Sequence, residues 1–241
     1  MNFFEQIESN FKEYREKTII NFDGEEKSFG DFENMSNSLA SWIISKYGDD
    51  KSPVIVFGHK ENEMIPAFLA CSKSGHPYIP VETTLPHERI EDIVENSEAK
   101  LIINVSETDI HINTVDVLKR DNLLGIFEEY SGKIPDKKYL VSGDETYYML
   151  YTSGSTGKPK GVKVTFNNLD SFIKWGVELA EITEKDVILN QISYSFDVSV
   201  MSYYFALYKG ASLITVDKRM VYDFKMLLKK KKKSGITVWN S

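Results

Sequence analysis

Phe4, Ile7, Phe11 and Tyr14 fall three or four residues apart, the spacing of one helical face, so the chain opens on an amphipathic helix. A strand over 18–22 and a turn at Asp23-Gly24 follow. Ser28 and Asp31 then have the form of a capping box, opening a helix with Phe32, Met35, Leu39, Trp42 and Ile43 along one side. From there the pattern alternates. Strands are expected over 53–57, 77–81 and 100–105, and helices over 62–74, ended by Gly75, and over 86–97. Hydrophobic strands alternating with helices imply βαβ crossovers and a mostly parallel sheet.

Residues 106–140 are less periodic and are expected to carry the chain from one layered unit to another. Strands over 147–151 and 161–165 come next. Leu169, Phe172, Ile173, Gly176, Val177 and Ala180 then make a helical face. A strand over 187–191, a helix over 199–208 stopped by Gly210, a strand over 211–216, a helix over 222–233 and a strand over 236–239 complete the pattern. The fold class is therefore α/β, with layered parallel-sheet subdomains: about 1–140 as a first unit with its linker, and 141–241 as a second.

Composition narrows the function classes. The 241 residues are 41% hydrophobic, enough for one sizeable core or two small ones. No apolar run approaches the ~18 residues of a membrane span, and the start, Met-Asn-Phe-Phe-Glu-Gln, has no basic leader region, so the cytoplasm is the expected location and no direct membrane insertion is expected. Net charge is −7, with both signs interspersed except at Lys229–Lys233, so a nucleic-acid surface is disfavoured. That lysine run closes the expected helix over 222–233, where cations complement the helix dipole. Cys71 stands alone in an apolar pattern and is expected as a buried small hydrophobe. His59, His76, His87 and His111 lack the spacing of a zinc site or a catalytic triad, so no metal held by protein side chains is expected.

The chemistry concentrates in Tyr151 to Gly161, Tyr-Thr-Ser-Gly-Ser-Thr-Gly-Lys-Pro-Lys-Gly. Glycines allow close backbone approach, Ser and Thr add hydroxyl donors, and Lys158 and Lys160 bring charge, a composition suited to polyphosphate. A Walker loop needs four residues between its glycines and a Ser or Thr after its lysine. Here Gly154 and Gly157 are separated by two, and Pro159 follows Lys158. Both flanks read as strands, so no helix N-terminus follows the loop. Read from composition alone, a solvated hairpin loop without a ligand fits as well.

The eleven residues resemble the signature loop of the adenylate-forming superfamily, which includes acyl-CoA synthetases, luciferases and the adenylation domains of peptide synthetases. Leu69 to Val81 is similar to that superfamily's helix-to-strand element. Tyr194-Ser195-Phe196-Asp197-Val198-Ser199-Val200 resembles the substrate motif of members that activate amino acids, where the aspartate meets the α-ammonium group. Local sequence also allows Asp197 a second role, as a cap or first-turn acid of the helix after it. The resemblance runs along the whole chain and is strongest to the D-alanine-activating carrier-protein ligases.

That resemblance implies a fold and a set of roles. The fold would be part of the large N-terminal domain, without the C-terminal lid, the adenine motif and the ribose aspartate that follow in the family. Thr152, Ser153, Gly154, Ser155, Thr156, Gly157, Lys158, Lys160 and Gly161 would bind ATP, with Thr152, Thr156 and Lys160 in catalytic roles. Asp197 would hold the substrate amine and Phe196 would wall its pocket. ATP and Mg²⁺ are the implied cofactors. D-Alanine and a phosphopantetheinylated D-alanyl carrier protein are the implied partners, in teichoic acid D-alanylation. An adenylation domain for another amino acid and a non-catalytic nucleotide-binding module are the alternatives, and a phosphotransferase is disfavoured by the loop spacing. Residues 1–241 alone are expected to be inactive.

Overall fold

A computed structural model describes residues 1–153, 159–216 and 235–239. The chain forms two compact units, Met1–Glu33 with Asp170–Ser241, and Asn34–Leu169. This division differs from the expected boundary near residue 140. Its cause is non-local strand pairing, which element order does not reveal.

In the first unit, helix α1 (Phe3–Glu13) leads into a hairpin of β1 (Thr18–Phe22) and β2 (Glu25–Ser28). The sequence pattern had shown only the first strand, because β2 buries no residue and carries no alternation. After α6 (Phe166–Leu179), shared with the other unit, come β9 (Val187–Asn190), α7 (Val200–Lys209), β10 (Ser212–Thr215) and β11 (Val238–Trp239). The sheet order is β11-β9-β10-β1-β2, parallel except for the β1–β2 edge. The expected helix over 222–233, with its lysine run, lies outside the described residues.

Side chains from the N-terminal segment close the end of α7. Asn10 Nδ2 donates to the Leu207 and Tyr208 carbonyls, both at 2.8 Å, and Lys17 Nζ donates to the Gly210 carbonyl at 2.6 Å. These are carbonyls that a helix C-terminus otherwise leaves unpaired. Gly176 lets α6 approach α7: a Cβ there would stand 2.2 Å from the Phe205 ring.

The second unit carries β3 (Val54–Gly58), α3 (Met64–Lys73), β4 (Tyr78–Glu82), α4 (His87–Ser97) and β5 (Leu101–Asn104), close to the expected alternation. Every residue of these three strands is buried, as parallel strands covered on both faces require. Residues 106–140 do not leave this unit. They add β6 (Asp116–Leu118) and α5 (Arg120–Glu129), which the sequence hid because the strand is three residues long and the helix buries only Leu123, Ile126 and Phe127. β7 (Thr146–Ser153) and β8 (Pro159–Thr165) complete a sheet ordered β6-β5-β3-β4-β7-β8, parallel up to β7 and antiparallel at β8. Its apolar layer includes Ile55, Phe57, Ile79, Val81, Ile102 and Met149 with Ile90, Ile93 and Val94 of α4.

α2 (Phe29–Tyr47) starts as the sequence indicated. The Asp31 amide donates to Ser28 Oγ at 3.1 Å while the Ser28 amide donates to Asp31 Oδ2 at 2.7 Å, the reciprocal pair of a capping box. Farther along α2, Ser36 Oγ and Asn37 Oδ1 accept from the buried Lys73 ammonium at 3.0 and 2.7 Å. Cys71 is fully buried, and burial pushes its thiol pKa up, so it behaves as the small hydrophobe expected.

Candidate functional site

The strands that flank the Gly-, Ser- and Thr-rich sequence sit in the second unit, not in a unit formed by residues 141–241. Its flanks are strands, as expected: β7 and β8 pair antiparallel with Tyr151 opposite Gly161, Thr152 opposite Lys160 and Ser153 opposite Pro159. Residues directly opposite each other share a face, so Thr152 and Lys160 stand side by side at the base of the loop, both exposed. Gly154, Ser155, Thr156, Gly157 and Lys158 lie outside the described residues, as does the side chain of Ser153.

On the other face, Met149 and Tyr151 meet the apolar layer under α4. A Cβ on Gly161 would come within 3.0 Å of the Tyr151 ring, so the absent side chain leaves room for the ring to lie across the neighbouring strand. Burial raises the pKa of the Tyr151 phenol. Its hydroxyl donates to Asn96 Oδ1 of α4 at 2.9 Å. Arg89, one turn into the same helix, donates from Nη2 to the Thr152 carbonyl at 3.3 Å. The ladder that flanks the loop sequence is therefore held on one side by α4. Sequence reasoning singled out neither Arg89 nor Asn96. Which helix lies beside β7 is decided by sheet order, and no local signal carries it.

The amino-acid motif lies in the first unit. Tyr194 is buried and anchors it, with its ring 5.4 Å from Tyr203 in an edge-on contact and its hydroxyl accepting from Asn190 Nδ2 at 2.7 Å. Asn190 also donates to Thr215 Oγ1 at 3.1 Å, tying the end of β9 to β10. Past this anchor the chain turns outward, leaving Phe196 64% exposed and Asp197 exposed. Asp197 opens a single 3-10 turn, Asp197–Ser199, that runs directly into α7. Its Oδ1 accepts from the adjacent Val198 amide at 2.8 Å, and among the described residues no cation pairs with it. The carboxylate thus sits in the first turn of a helix, where an acid is favoured, without being consumed by an ion pair.

No group of three or more His, Cys, Asp or Glu side chains among the described residues could hold a metal ion. Nor is any described helix long and apolar enough to cross a membrane. His59 gained a partner that its spacing did not show, with Nδ1 2.6 Å from Glu82 Oε2 at the ends of β3 and β4.

The Gly-, Ser- and Thr-rich sequence lies between two paired strands, β7 and β8, rather than between a strand and a helix as in a Walker loop. The chain belongs to the AMP-binding enzyme family, whose profile matches residues 7–241. It is 42% identical over 241 residues to the D-alanine--D-alanyl carrier protein ligase of Bacillus cereus strain AH187, and 41% identical to that of Bacillus thuringiensis strain Al Hakam. Each alignment covers 100% of this chain and 48% of the relative, so the chain spans about half the length of these ligases. Among solved structures, the N-terminal subdomain of Klebsiella oxytoca NpsA superposes with a TM-score of 0.82 at 20% identity, covering 98% of this chain and 59% of that one. VinN in complex with 3-methylaspartate gives 0.84 at 15% identity, covering 99% and 65%. At such identities the likeness establishes the fold alone.

Proposed function

We propose that residues 1–241 are the phosphate-binding and amine-binding portion of an ATP-dependent ligase that adenylates D-alanine and transfers it to the phosphopantetheine thiol of a carrier protein, in the cytoplasm, for teichoic acid D-alanylation. The observation that carries this reading is identity of 42% along the whole chain to ligases of that name, with both motif regions inside the matched length.

In the first step the D-alanine carboxylate attacks the α-phosphorus of ATP, the bond to the β-phosphate oxygen breaks, and pyrophosphate leaves. In the second, the carrier thiolate attacks the acyl carbonyl, forming a thioester and releasing AMP. For the first step Thr152 and Lys160 would offer a hydroxyl and an ammonium from neighbouring strands, with Ser153, Gly154, Ser155, Thr156, Gly157, Lys158 and Gly161 as the further phosphate-binding residues of the motif. Such donors act by stabilising charge that builds on the phosphates. Mg²⁺ bound with the nucleotide's own phosphates would add to that stabilisation. Asp197 would pair with the substrate ammonium, since an unpaired cation in a closed pocket costs several kcal/mol. Phe196 would cover the amine side.

The experiment is amino-acid-dependent exchange of labelled pyrophosphate into ATP, using a protein of the relatives' full length that carries these 241 residues. D-Alanine should support exchange well above L-alanine and glycine. Exchange with a different amino acid would move the chain to the peptide-synthetase alternative. ADP formation would replace adenylation by phosphoryl transfer, and nucleotide binding without either product would leave a binding module.

A further inference from the structure

We propose that α4 is a positioning brace for the phosphate hairpin, with Asn96, Arg89 and Tyr151 setting how Thr152 and Lys160 are presented. The proposal rests on the adenylation reading for what the hairpin binds, and on the described geometry for the brace.

Among the described residues strand β8 is the edge of its sheet, and one side of its backbone has no ladder partner there. Among the described residues β7 is its one ladder partner, with α4 packed beside it, and at Gly161 it contributes no side chain to the ladder. An edge glycine weakens a strand unless an aromatic ring from the neighbouring strand covers it. Tyr151 supplies the ring, within 3.0 Å of where a Gly161 Cβ would be. A ring on a two-stranded ladder can still swing about its side-chain torsions. The hydrogen bond from the Tyr151 hydroxyl to Asn96 Oδ1, at 2.9 Å, removes that freedom by tying the ring tip to α4.

One residue farther along β7, the Arg89 guanidinium meets the Thr152 carbonyl at 3.3 Å. Thr152 is the last residue before Ser153 and the loop, and its side chain lies on the face opposite to that of Tyr151. Two points of one helix, seven residues apart, therefore hold two successive residues of β7. Because Tyr151 pairs with Gly161 and Thr152 with Lys160, fixing β7 fixes the height of Lys160 as well. α4 is itself rooted in the core through Ile90, Ile93 and Val94, so the brace is anchored on buried side chains.

The test uses the 241-residue chain and the variants Tyr151→Phe, Asn96→Ala, Asn96→Asp and the double variant of the first two. Amide hydrogen exchange over 146–153 and 159–165 reports on the ladder. Affinity for inorganic tripolyphosphate with Mg²⁺ reports on the site. Tyr151→Phe and Asn96→Ala should each speed exchange in the ladder about fivefold and weaken tripolyphosphate binding by about the same factor, the effect of one hydrogen bond of ordinary net strength. The double variant should be no worse than Tyr151→Phe, since that change already removes the bond to Asn96 along with the hydroxyl's contact to Ser97. Asn96→Asp keeps an acceptor oxygen and should restore wild-type exchange, which a general loss of stability would not do. If Asn96→Ala leaves ladder exchange or affinity unchanged, if the two losses add, or if Asn96→Asp fails to rescue, the brace is wrong while the adenylation reading stands. If the wild-type chain binds no tripolyphosphate, the adenylation reading fails and the positioning role falls with it.

Discussion

On the proposed reading, the β7–β8 hairpin and the segment around Asp197 would solve different electrostatic problems with different local architecture. The hairpin runs through seven register pairs, from Thr146 with Thr165 to Ser153 with Pro159, and presents its groups in cross-strand pairs. The Asp197 segment is one buried tyrosine, a 3-10 turn and a single exposed carboxylate. Phosphate charge is spread over several oxygens and is met by many weak donors, each dispensable in part. An ammonium is a point charge met by one carboxylate. Damage to the first should therefore be graded, and damage to the second nearly complete for the amino acid and negligible for the nucleotide.

The largest expected effect comes from separating both regions from the rest of a ligase. The 241-residue chain, assayed by itself, should show no amino-acid-dependent pyrophosphate exchange while retaining weak, Mg²⁺-dependent binding of tripolyphosphate or pyrophosphate. Phosphate contacts without contacts to the rest of the nucleotide leave the α-phosphorus poorly placed, and a misplacement of ~1 Å can cost about a hundredfold in rate. Clear turnover beside a full-length control would show that these residues suffice for catalysis.

Next in size is Asp197→Ala in a protein of the relatives' full length. Exchange should fall by about two powers of ten or more, because a charged hydrogen bond contributes about 1.5–3 kcal/mol and its loss leaves the ammonium unpaired. ATP binding should barely change. Equal losses in both measurements would assign Asp197 to support of the 3-10 turn ahead of α7, where its Oδ1 already accepts from the Val198 amide.

Lys160→Ala should do less. One of several donors is lost, and an exposed ammonium is screened by solvent, so tripolyphosphate affinity should drop about tenfold, by less in high salt. A loss as large as that for Asp197→Ala would break the contrast between spread and point charge.

How much of this was legible beforehand follows the range of the forces involved. The helix at Phe4 to Tyr14, the capping box at Ser28 and Asp31, and the strands flanking the loop are local patterns, and all are present. β2 and β6 escaped because short, exposed strands bury too little to leave a period. The unit boundary escaped for a different reason. β1 pairs in parallel with β10 about 190 residues later, and β4 pairs with β7 across α4, β5, β6 and α5, so membership depends on contacts that carry no local mark. At the site, loop composition pointed to phosphate, but the helix beside the loop and the paired Thr152 and Lys160 needed the sheet register. Asp197 was picked out by motif, and its exposure beyond the Tyr194 anchor became visible only with the fold.

The smallest expected effect concerns the unit that carries the hairpin and leaves the site untouched. Lys60, just after β3, is fully buried, and desolvation lowers its pKa from 10.5 to about 7, against an opposing pull from Glu82. The folded chain therefore releases this proton near pH 7, whereas the unfolded chain keeps it until about pH 10.5. Between those values the unfolded state binds more protons, so stability rises with pH across the window and the lysine's penalty is largest below pH 7. Lys60→Met removes the titrating group and keeps an unbranched apolar stem. The thermal midpoint of the variant should lie above that of the wild type at pH 6.5, with the gap narrowing steadily toward pH 10. Titrations elsewhere in the protein cancel in the difference between the two curves. Asp197 belongs to the other unit, so an unfolding signal from the Tyr194 and Tyr203 environment that shifts less than one from Tyr147 and Tyr148 would show the two units melting separately. A gap that stays constant with pH would mean that Lys60 keeps its proton in the folded protein, held by Glu82, and that burial does not dominate there.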